Sequence, residues 1–102
     1  MDPASRALLE GWIAGVLTRP EHHCGVFTGT DGDPFDHRAR PWDYPDILMS
    51  GRVDDESLLL VLSDGVFRVD DVRAVARGEH AWGPGLLVSG TISGAPAGVW
   101  LV

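Results

Sequence analysis

Metal or thiol chemistry in this chain would have to come from a group of histidines and one cysteine in its first half. His22, His23 and Cys24 are consecutive, and His37 follows after a gap. A zinc site needs four ligands within tetrahedral reach, or three ligands and a water molecule. Adjacent side chains of a strand point to opposite faces, so His23 and Cys24 would not readily bind one ion. Because no Cys-x-x-Cys or His-x-x-x-His spacing is present, we expect neither a metal nor another cofactor.

The candidate catalytic residues are Cys24 and the neighbouring pair Asp36 and His37. A nucleophilic cysteine needs a nearby base and a lowered pKa. Nothing in the sequence places His37 beside Cys24. An enzyme that uses His37 and Asp36, or Cys24, is therefore the less favoured alternative.

The most informative polar stretch is an aromatic–arginine loop, residues 29–46, which has three prolines and no apolar periodicity. Its candidate contact residues are Phe35, Arg38, Arg40, Trp42 and Tyr44. Trp, Tyr and Arg dominate many protein interfaces because they bury a large area and keep a polar group. We therefore predict a protein contact here. The alternatives are a loop that folds down and caps the open end of the sheet, and a site for a small ligand or single-stranded nucleic acid.

The charge of the chain limits its partners. The formal net charge is -7, the sequence pI is about 4.7, and eleven of the 15 acidic residues lie between Asp31 and Asp71. We call this stretch the acidic pole. Nucleic-acid backbones are bound by clustered cations, so we do not expect a nucleic-acid partner. The acidic pole favours another protein with a basic surface.

Composition also suggests a compartment and an origin. The single cysteine excludes an internal disulfide, and the first residues lack the basic region of a signal peptide. The longest apolar run is 58–62, which is too short to span a bilayer. We therefore expect a cytoplasmic protein without a membrane segment. All 8 basic residues are Arg, and the lack of Lys, Asn and Gln suggests a high-GC bacterial or phage genome.

Residues 47–69 must position these candidates, and they predict a three-strand antiparallel meander. Asp64 and Gly65 lie between β-rich runs, which is a strong signal for a two-residue hairpin turn. That turn predicts the pairs Leu62 with Phe67 and Leu60 with Val69. A four-residue preceding loop, 54–57, keeps the apolar side chains on one face, whereas a three-residue loop divides them. The resulting pairs are Val53 with Leu58, Gly51 with Leu60 and Met49 with Leu62.

This register gives the meander a core face and a mixed face. The predicted core face carries Ile47, Met49, Val53, Leu58, Leu60, Leu62, Phe67 and Val69. The mixed face has Arg52, Leu59 and Asp70 in one row and Ser50, Val61 and Arg68 in the next. Residues 58–62 do not alternate, which is typical of a strand covered on both sides. The cover is either the chain's own loops, or a partner or second copy that contacts Arg52, Arg68 and Asp70.

The remaining elements are a helix and several strands. Asp2 as N-cap, Pro3 and an apolar stripe predict an amphipathic helix over 3–18. Strands are predicted at 24–28, 86–93 and 99–102, with Gly90 marking a bulge. Residues 70–78 fit either a short helix or a strand, and we favour the helix.

These patterns predict one α+β domain, residues 1–102. An N-terminal amphipathic helix packs on a mostly antiparallel sheet of five to six strands, or on a small barrel. The predicted function is a non-catalytic protein-interaction module, such as an adaptor, inhibitor or immunity-type partner, that uses the aromatic–arginine loop and the acidic pole. A homodimer is a further expectation. The alternative is a small-ligand-binding barrel with Trp42, Trp82 and Trp100 lining its mouth.

Overall fold

The computed structural model describes residues 1–28 and 46–102, and it begins with one helix, α1 (Pro3–Val16). Asp2 is the N-cap of α1, because the Ser5 backbone N–H donates to Asp2 Oδ1 at 2.7 Å. Pro3 occupies the first turn, where its missing N–H costs nothing. The predicted start signals are thus confirmed, and α1 ends at Val16, slightly before the predicted end at residue 18.

Among the described residues, seven antiparallel strands form one sheet, and a 3₁₀ turn at Pro20–His22 leads into it. The strands are β1 (His23–Cys24), β2 (Val26–Thr28), β3 (Asp46–Val53), β4 (Leu58–Leu62), β5 (Gly65–His80), β6 (Gly83–Ile92) and β7 (Ala95–Leu101). Their order in the sheet is β1-β3-β4-β5-β6-β7-β2. The predicted α+β class and antiparallel sheet are confirmed.

The predicted count of five to six strands and the small barrel were slightly wrong. Residues 24–28, predicted as one strand, belong to two strands with different partners. β1 pairs with β3, and β2 pairs with β7 at the other end of the strand order. Gly25 lies between them and exchanges two backbone hydrogen bonds of 2.9 Å with Val102. The residue pattern of 24–28 indicates extended backbone, but it does not show that the partner strand changes from β3 to β7 within the stretch.

α1 packs on one face of the sheet, as predicted, and the main core lies between them. The buried residues of this core are Leu9, Ile13, Val16, Cys24, Val26, Leu48, Leu58, Leu60, Val69, Val72, Leu86, Val88, Val99 and Leu101. The Arg6 guanidinium fixes the helix to the end of β3 by donating to the carbonyl oxygens of Val53 at 3.0 Å and Asp54 at 2.6 Å. Arg6 also forms an ion pair with Glu10, one helical turn further on, at 3.3 Å.

The β3–β4 pairing follows the predicted four-residue loop and then shifts. Two predicted pairs are present: Val53 with Leu58, and Gly51 with Leu60. Between Leu48 and Ser50 the register shifts, so Leu48 lies opposite Leu62. Leu48 is fully buried, whereas Met49 is 61% exposed. The predicted placement of Met49 in the core was wrong, because a β-bulge inserts one extra residue and alternation does not reveal it.

The β4–β5 turn is also shifted from its predicted position. Leu62 pairs with Gly65, so Ser63 and Asp64 are the two turn residues. Gly65 has a φ of +148°, a backbone conformation that favours glycine. The register moves by two residues, and such a shift leaves every side chain on its predicted face. The corrected pairs are Leu60 with Phe67 instead of Val69, and Leu59 with Arg68 instead of Asp70.

The favoured short helix at 70–78 was wrong, because β5 continues to His80. Near Asp70 this strand changes partner from β4 to β6 through a bulge at Asp71, whose φ is +47°. Extended backbone lets Val72 reach the main core, which a helix at this position would not provide. The bulge lies opposite Gly90, where a methyl group would fall 2.6 Å from the Asp70 carbonyl oxygen. Gly90 is therefore needed because the backbone of β5 approaches it closely. The bulge that was predicted at Gly90 lies instead on β5.

Candidate functional site

The exposed face of the meander brings several predicted contact residues together. We define the outer meander surface as Met49, Ser50, Arg52, Leu59, Val61, Val66, Arg68 and Asp70. Strand pairing forms two rows across β3, β4 and β5, namely Arg52–Leu59–Arg68 and Ser50–Val61–Val66. The two arginines therefore flank Leu59, which is half-buried. The predicted rows ended in Asp70 and Arg68. The observed rows end in Arg68 and Val66, because the hairpin is shifted by two residues.

The centre of the outer meander surface is aliphatic. Val66 is 68% exposed and Met49 is 61% exposed, and Leu59 and Val61 are half-buried. Across the described ranges only four large hydrophobic side chains are exposed, and Val66 and Met49 are the two most exposed of them. Their concentration on one face indicates a contact surface better than scattered single residues would.

Two exposed ion pairs lie on this surface, one on each side of Leu59. Arg68 Nε donates to Asp70 Oδ1 at 2.7 Å, and Arg52 Nε lies 3.1 Å from Asp54 Oδ1. The hydrogen bond to Asp70, together with its negative charge, raises the pKa of the Arg68 guanidinium above its ordinary value. Exposed pairs of this kind contribute little to folding stability. They instead fix the orientation of the two guanidinium groups on this surface.

Acidic turns lie at both ends of the outer meander surface. The β3–β4 turn carries Asp54, Asp55 and Glu56, and the β4–β5 turn carries Asp64. Residues 46–71 contain seven acidic residues and two arginines, which gives a net charge of -5 out of the -7 of the whole chain. Any partner of this surface must therefore tolerate or complement negative charge at its rim.

A small cavity of about 100 Å³ opens at the Asp64 end of the meander. Its lining is Val26, Asp46, Leu62, Asp64, Gly65, Val66 and Phe67. Asp46 is held in place, because Asp46 Oδ1 accepts hydrogen bonds from Ile47 N at 2.7 Å and Ser63 Oγ at 2.6 Å. An apolar lining with two carboxylates suits the methylene stem and charged end of a lysine or arginine side chain.

The predicted contact residues divide into two groups. Arg52, Arg68 and Asp70 lie on the outer meander surface. The predicted residues of the aromatic–arginine loop, Phe35, Arg38, Arg40, Trp42 and Tyr44, lie outside the described residues, as do Asp36 and His37. Sequence reasoning did not select Val66, although its position in the alternation placed it on this face. It also missed Met49, because no residue signal marks the bulge that exposes it.

The thiol candidate is a buried side chain. Cys24 is 3% exposed, and its burial, followed by the nearby negative charge of Asp46, raises the thiol pKa to about 11. The thiol therefore stays protonated near neutral pH, whereas a nucleophilic cysteine requires the thiolate. The preceding His23 is exposed, and its Nε2 lies 3.2 Å from Glu21 Oε2. Within 1–28 and 46–102, no three His, Cys, Asp or Glu side chains gather in a way that could hold a metal ion.

Two of the tryptophans proposed to line a ligand mouth, Trp82 and Trp100, pack against other rings. The Phe27 ring stacks on His80 with centroids 4.5 Å apart, and Trp82 contacts the same Phe27 ring edge-on at 4.9 Å. The Trp100 ring lies 5.3 Å from that of His80 and is 7% exposed. Trp82 and Trp100 thus belong to one aromatic cluster, and Trp42 lies outside the described residues.

Comparison with known proteins adds no assignment. Searches against protein-family models, curated proteins and solved structures found no match to this chain. In the part of the chain that the structure covers, no helix has both the length and the apolar character needed to cross a membrane.

Proposed function

We propose that this chain is a non-catalytic protein-interaction module, such as an adaptor, inhibitor or immunity-type partner. It binds another protein through the outer meander surface. The observation that carries the proposal is the aliphatic centre, in which Val66 and Met49 are exposed and the half-buried Leu59 lies between two ion-paired arginines. This arrangement has the apolar middle and polar rim of a protein interface.

The proposed partner has a basic contact surface. Its apolar residues pack on Val66 and Met49, and its cations lie against the acidic turns. One lysine or arginine of the partner enters the 100 Å³ cavity and reaches Asp46 or Asp64. Arg52 and Arg68 contribute large, planar side chains of the kind that often dominates binding energy. Charge complementarity of this kind accelerates association and makes it sensitive to salt.

The aromatic–arginine loop extends this proposal. Phe35, Arg38, Arg40, Trp42 and Tyr44 remain predicted contact residues on the same acidic pole. A cytoplasmic location and a bacterial or phage origin likewise remain predictions. The ligand-binding alternative has less support, because Trp82 and Trp100, two of the residues that would line its mouth, pack against Phe27 and His80 instead.

The proposal is tested by affinity capture from a lysate of the native host. Immobilised wild-type chain is compared with Val66→Asp, which places a charge in the aliphatic centre. Ala95→Asp is the matched control, since Ala95 is exposed at the start of β7, away from this surface. We expect a basic protein that wild type and Ala95→Asp retain and that Val66→Asp loses. Thermal unfolding of all three variants confirms that they remain folded.

Two further results refine the test. The captured protein should dissociate as ionic strength rises, because its charged rim is exposed and screened by salt. Identical sets of captured proteins for wild type and Val66→Asp would argue against the outer meander surface as the binding site.

A further inference from the structure

A second surface of the molecule is an unpaired strand edge. β5 pairs with β4 only over residues 65–69, and the last contact on that side is the hydrogen bond from Val72 N to the Glu56 carbonyl oxygen at 2.8 Å. Beyond it, residues 74–79 pair with β6 alone, and Arg73 precedes them in the stretch where the β5–β6 register shifts. Among the residues that the structure describes, none makes a backbone hydrogen bond to the other side of this segment. We call residues 73–79 the free edge of β5.

The free edge offers backbone groups for another strand. In an antiparallel pair, alternate residues direct their N–H and C=O away from the partner strand. Such unpaired groups are a template for a further strand, and proteins often protect them with charged side chains, proline or a covering loop. The free edge has the sequence RAVARGE, which has no proline and carries three charged residues of mixed sign. Seven residues at roughly 3.4 Å each give an edge of about 24 Å.

An open groove lies beside the free edge. It has a volume of about 1030 Å³, and it lies between one flank of α1 and the β5–β6 hairpin, whose lining residues are Arg77, Gly78, Glu79, Pro84, Gly85 and Leu86. The helix wall consists largely of small residues, namely Ala4, Ala7, Gly11 and Gly15. These small side chains keep the groove open between α1 and the hairpin. Leu8 and Trp12, which also line the groove, offer apolar contact to its side chains.

The charges of the free edge complement those of an identical edge. A two-fold symmetric pairing that uses all seven residues must be centred on Ala76. In that register Arg73 lies opposite Glu79 of the second copy, and Val75 lies opposite Arg77. Moving the centre by one residue to Val75 or Arg77 instead places arginine opposite arginine, which is unfavourable. Neither Arg73 nor Arg77 forms an ion pair with a described acidic residue.

We infer that two copies of this chain associate through their free edges, in an antiparallel register centred on Ala76. The two sheets then form one continuous sheet across the dimer, as in other isologous pairings where the same patch meets itself. The backbone supplies the hydrogen bonds, and the two Arg73–Glu79 contacts select the register. This interface lies on a different part of β5 from the outer meander surface. The dimer can therefore be tested without reference to the proposed function.

The first test is charge reversal, followed by analytical ultracentrifugation over a range of protein concentrations. Arg73→Glu and Glu79→Arg each place like charges opposite one another, and each should weaken the dimer at least tenfold. The double variant Arg73→Glu/Glu79→Arg restores opposite charges in the same register and should recover most of the affinity. Both side chains are exposed, so circular dichroism should show unchanged folding. A wild-type chain that is monomeric at every concentration would overturn the inference.

The second test is disulfide trapping in a Cys24→Ser background, with oxidised glutathione as the oxidant. A76C places a thiol opposite its own copy and should give a covalent dimer on a non-reducing gel. A74C is the matched control, because residue 74 would face residue 78 of the other copy. Its own copy would then lie about 14 Å away along the strand, beyond disulfide reach. Equal cross-linking of A74C and A76C would contradict the proposed register.

Discussion

Gly51 lies directly beneath Ile13, at the point where α1 crosses β3. A methyl group added to Gly51 would fall 2.9 Å from both Cδ1 and Cγ1 of Ile13. Non-bonded carbon atoms in proteins are rarely so close, so α1 or the Ile13 side chain would have to move. Glycine in this strand therefore has a packing role: it allows the buried side of α1 to approach the sheet.

The first prediction concerns this contact. Gly51→Ala should lower the free energy of unfolding by about 1–3 kcal/mol, the usual cost of overpacking a core. Gly15→Ala is the control, because Gly15 is exposed on the helix with nothing within 4 Å of the added methyl. It should raise stability by up to about 1 kcal/mol through better helix propensity. Urea denaturation measures both, and a stabilising Gly51→Ala would show that the approach of α1 is not limited by this residue.

The second prediction tests the bulge in β3. Leu48→Ala should destabilise the protein by roughly 2–5 kcal/mol, because Leu48 is fully buried. Met49→Ala should change stability by less than about 0.5 kcal/mol, because the Met49 side chain is mostly exposed. Comparison of the two urea midpoints decides the register. The reverse order of effects would indicate that Met49, as alternation predicted, faces the core.

The third prediction concerns the helix cap and its dependence on pH. The backbone N–H of Ser5 hydrogen-bonds the Asp2 carboxylate and lowers its pKa below the ordinary value of 3.8. A lowered folded-state pKa stabilises the protein above the unfolded-state pKa, and this stabilisation is lost as pH falls through the folded-state pKa. The gap between wild type and Asp2→Ala, meaning the difference in their free energies of unfolding, should therefore be present near neutral pH and shrink in acid.

Asp2→Asn provides the control for that experiment. Asparagine also caps helices well but carries no titrating carboxylate. The gap between Asp2→Asn and Asp2→Ala should accordingly change little with pH. Urea denaturation at several pH values measures both gaps, and a wild-type gap that is constant down to strong acid would rule out the charged cap.

The fourth prediction concerns Cys24. Because burial raises the thiol pKa to about 11, the native protein contains little thiolate at mildly alkaline pH. An aromatic disulfide reagent should therefore modify native Cys24 at least about tenfold more slowly than the unfolded chain. Absorbance of the released thiolate follows the reaction. Equal rates in the presence and absence of denaturant would mean that the thiol is accessible and reactive in the fold.

The sequence predicted the features of the fold that have a local physical cause. Asp2 and Pro3 mark the start of α1 because capping depends on neighbouring residues only. The inward direction of Leu58 and Leu60 follows from their pairing with the neighbouring strands, and it survives the shift of the hairpin because that shift is two residues. The strand count, the bulges at Met49 and Asp71, and the partner change of β5 depend on distant chain segments, so no local pattern contains them.

The candidate site was predictable to a similar extent. Arg52, Arg68 and Asp70 were placed on the mixed face by the same pairing, and the structure has Arg68 bonded to Asp70. Val66 was predicted on that face as well. It was not chosen as a contact residue because the choice favoured polar side chains, and the sequence does not reveal how exposed Val66 is. The free edge of β5 was beyond sequence reasoning, since it exists only because β4 ends where β6 begins to pair.

The central claim is that the outer meander surface binds a basic protein, and a titration with the purified captured protein tests it most directly. Calorimetry would compare wild type, Val66→Asp and Ala95→Asp in the same buffer. We predict that Val66→Asp weakens binding at least tenfold, about 1.4 kcal/mol, whereas Ala95→Asp stays within about twofold of wild type. Equal dissociation constants for all three variants would contradict the claim and place the interaction elsewhere on the molecule.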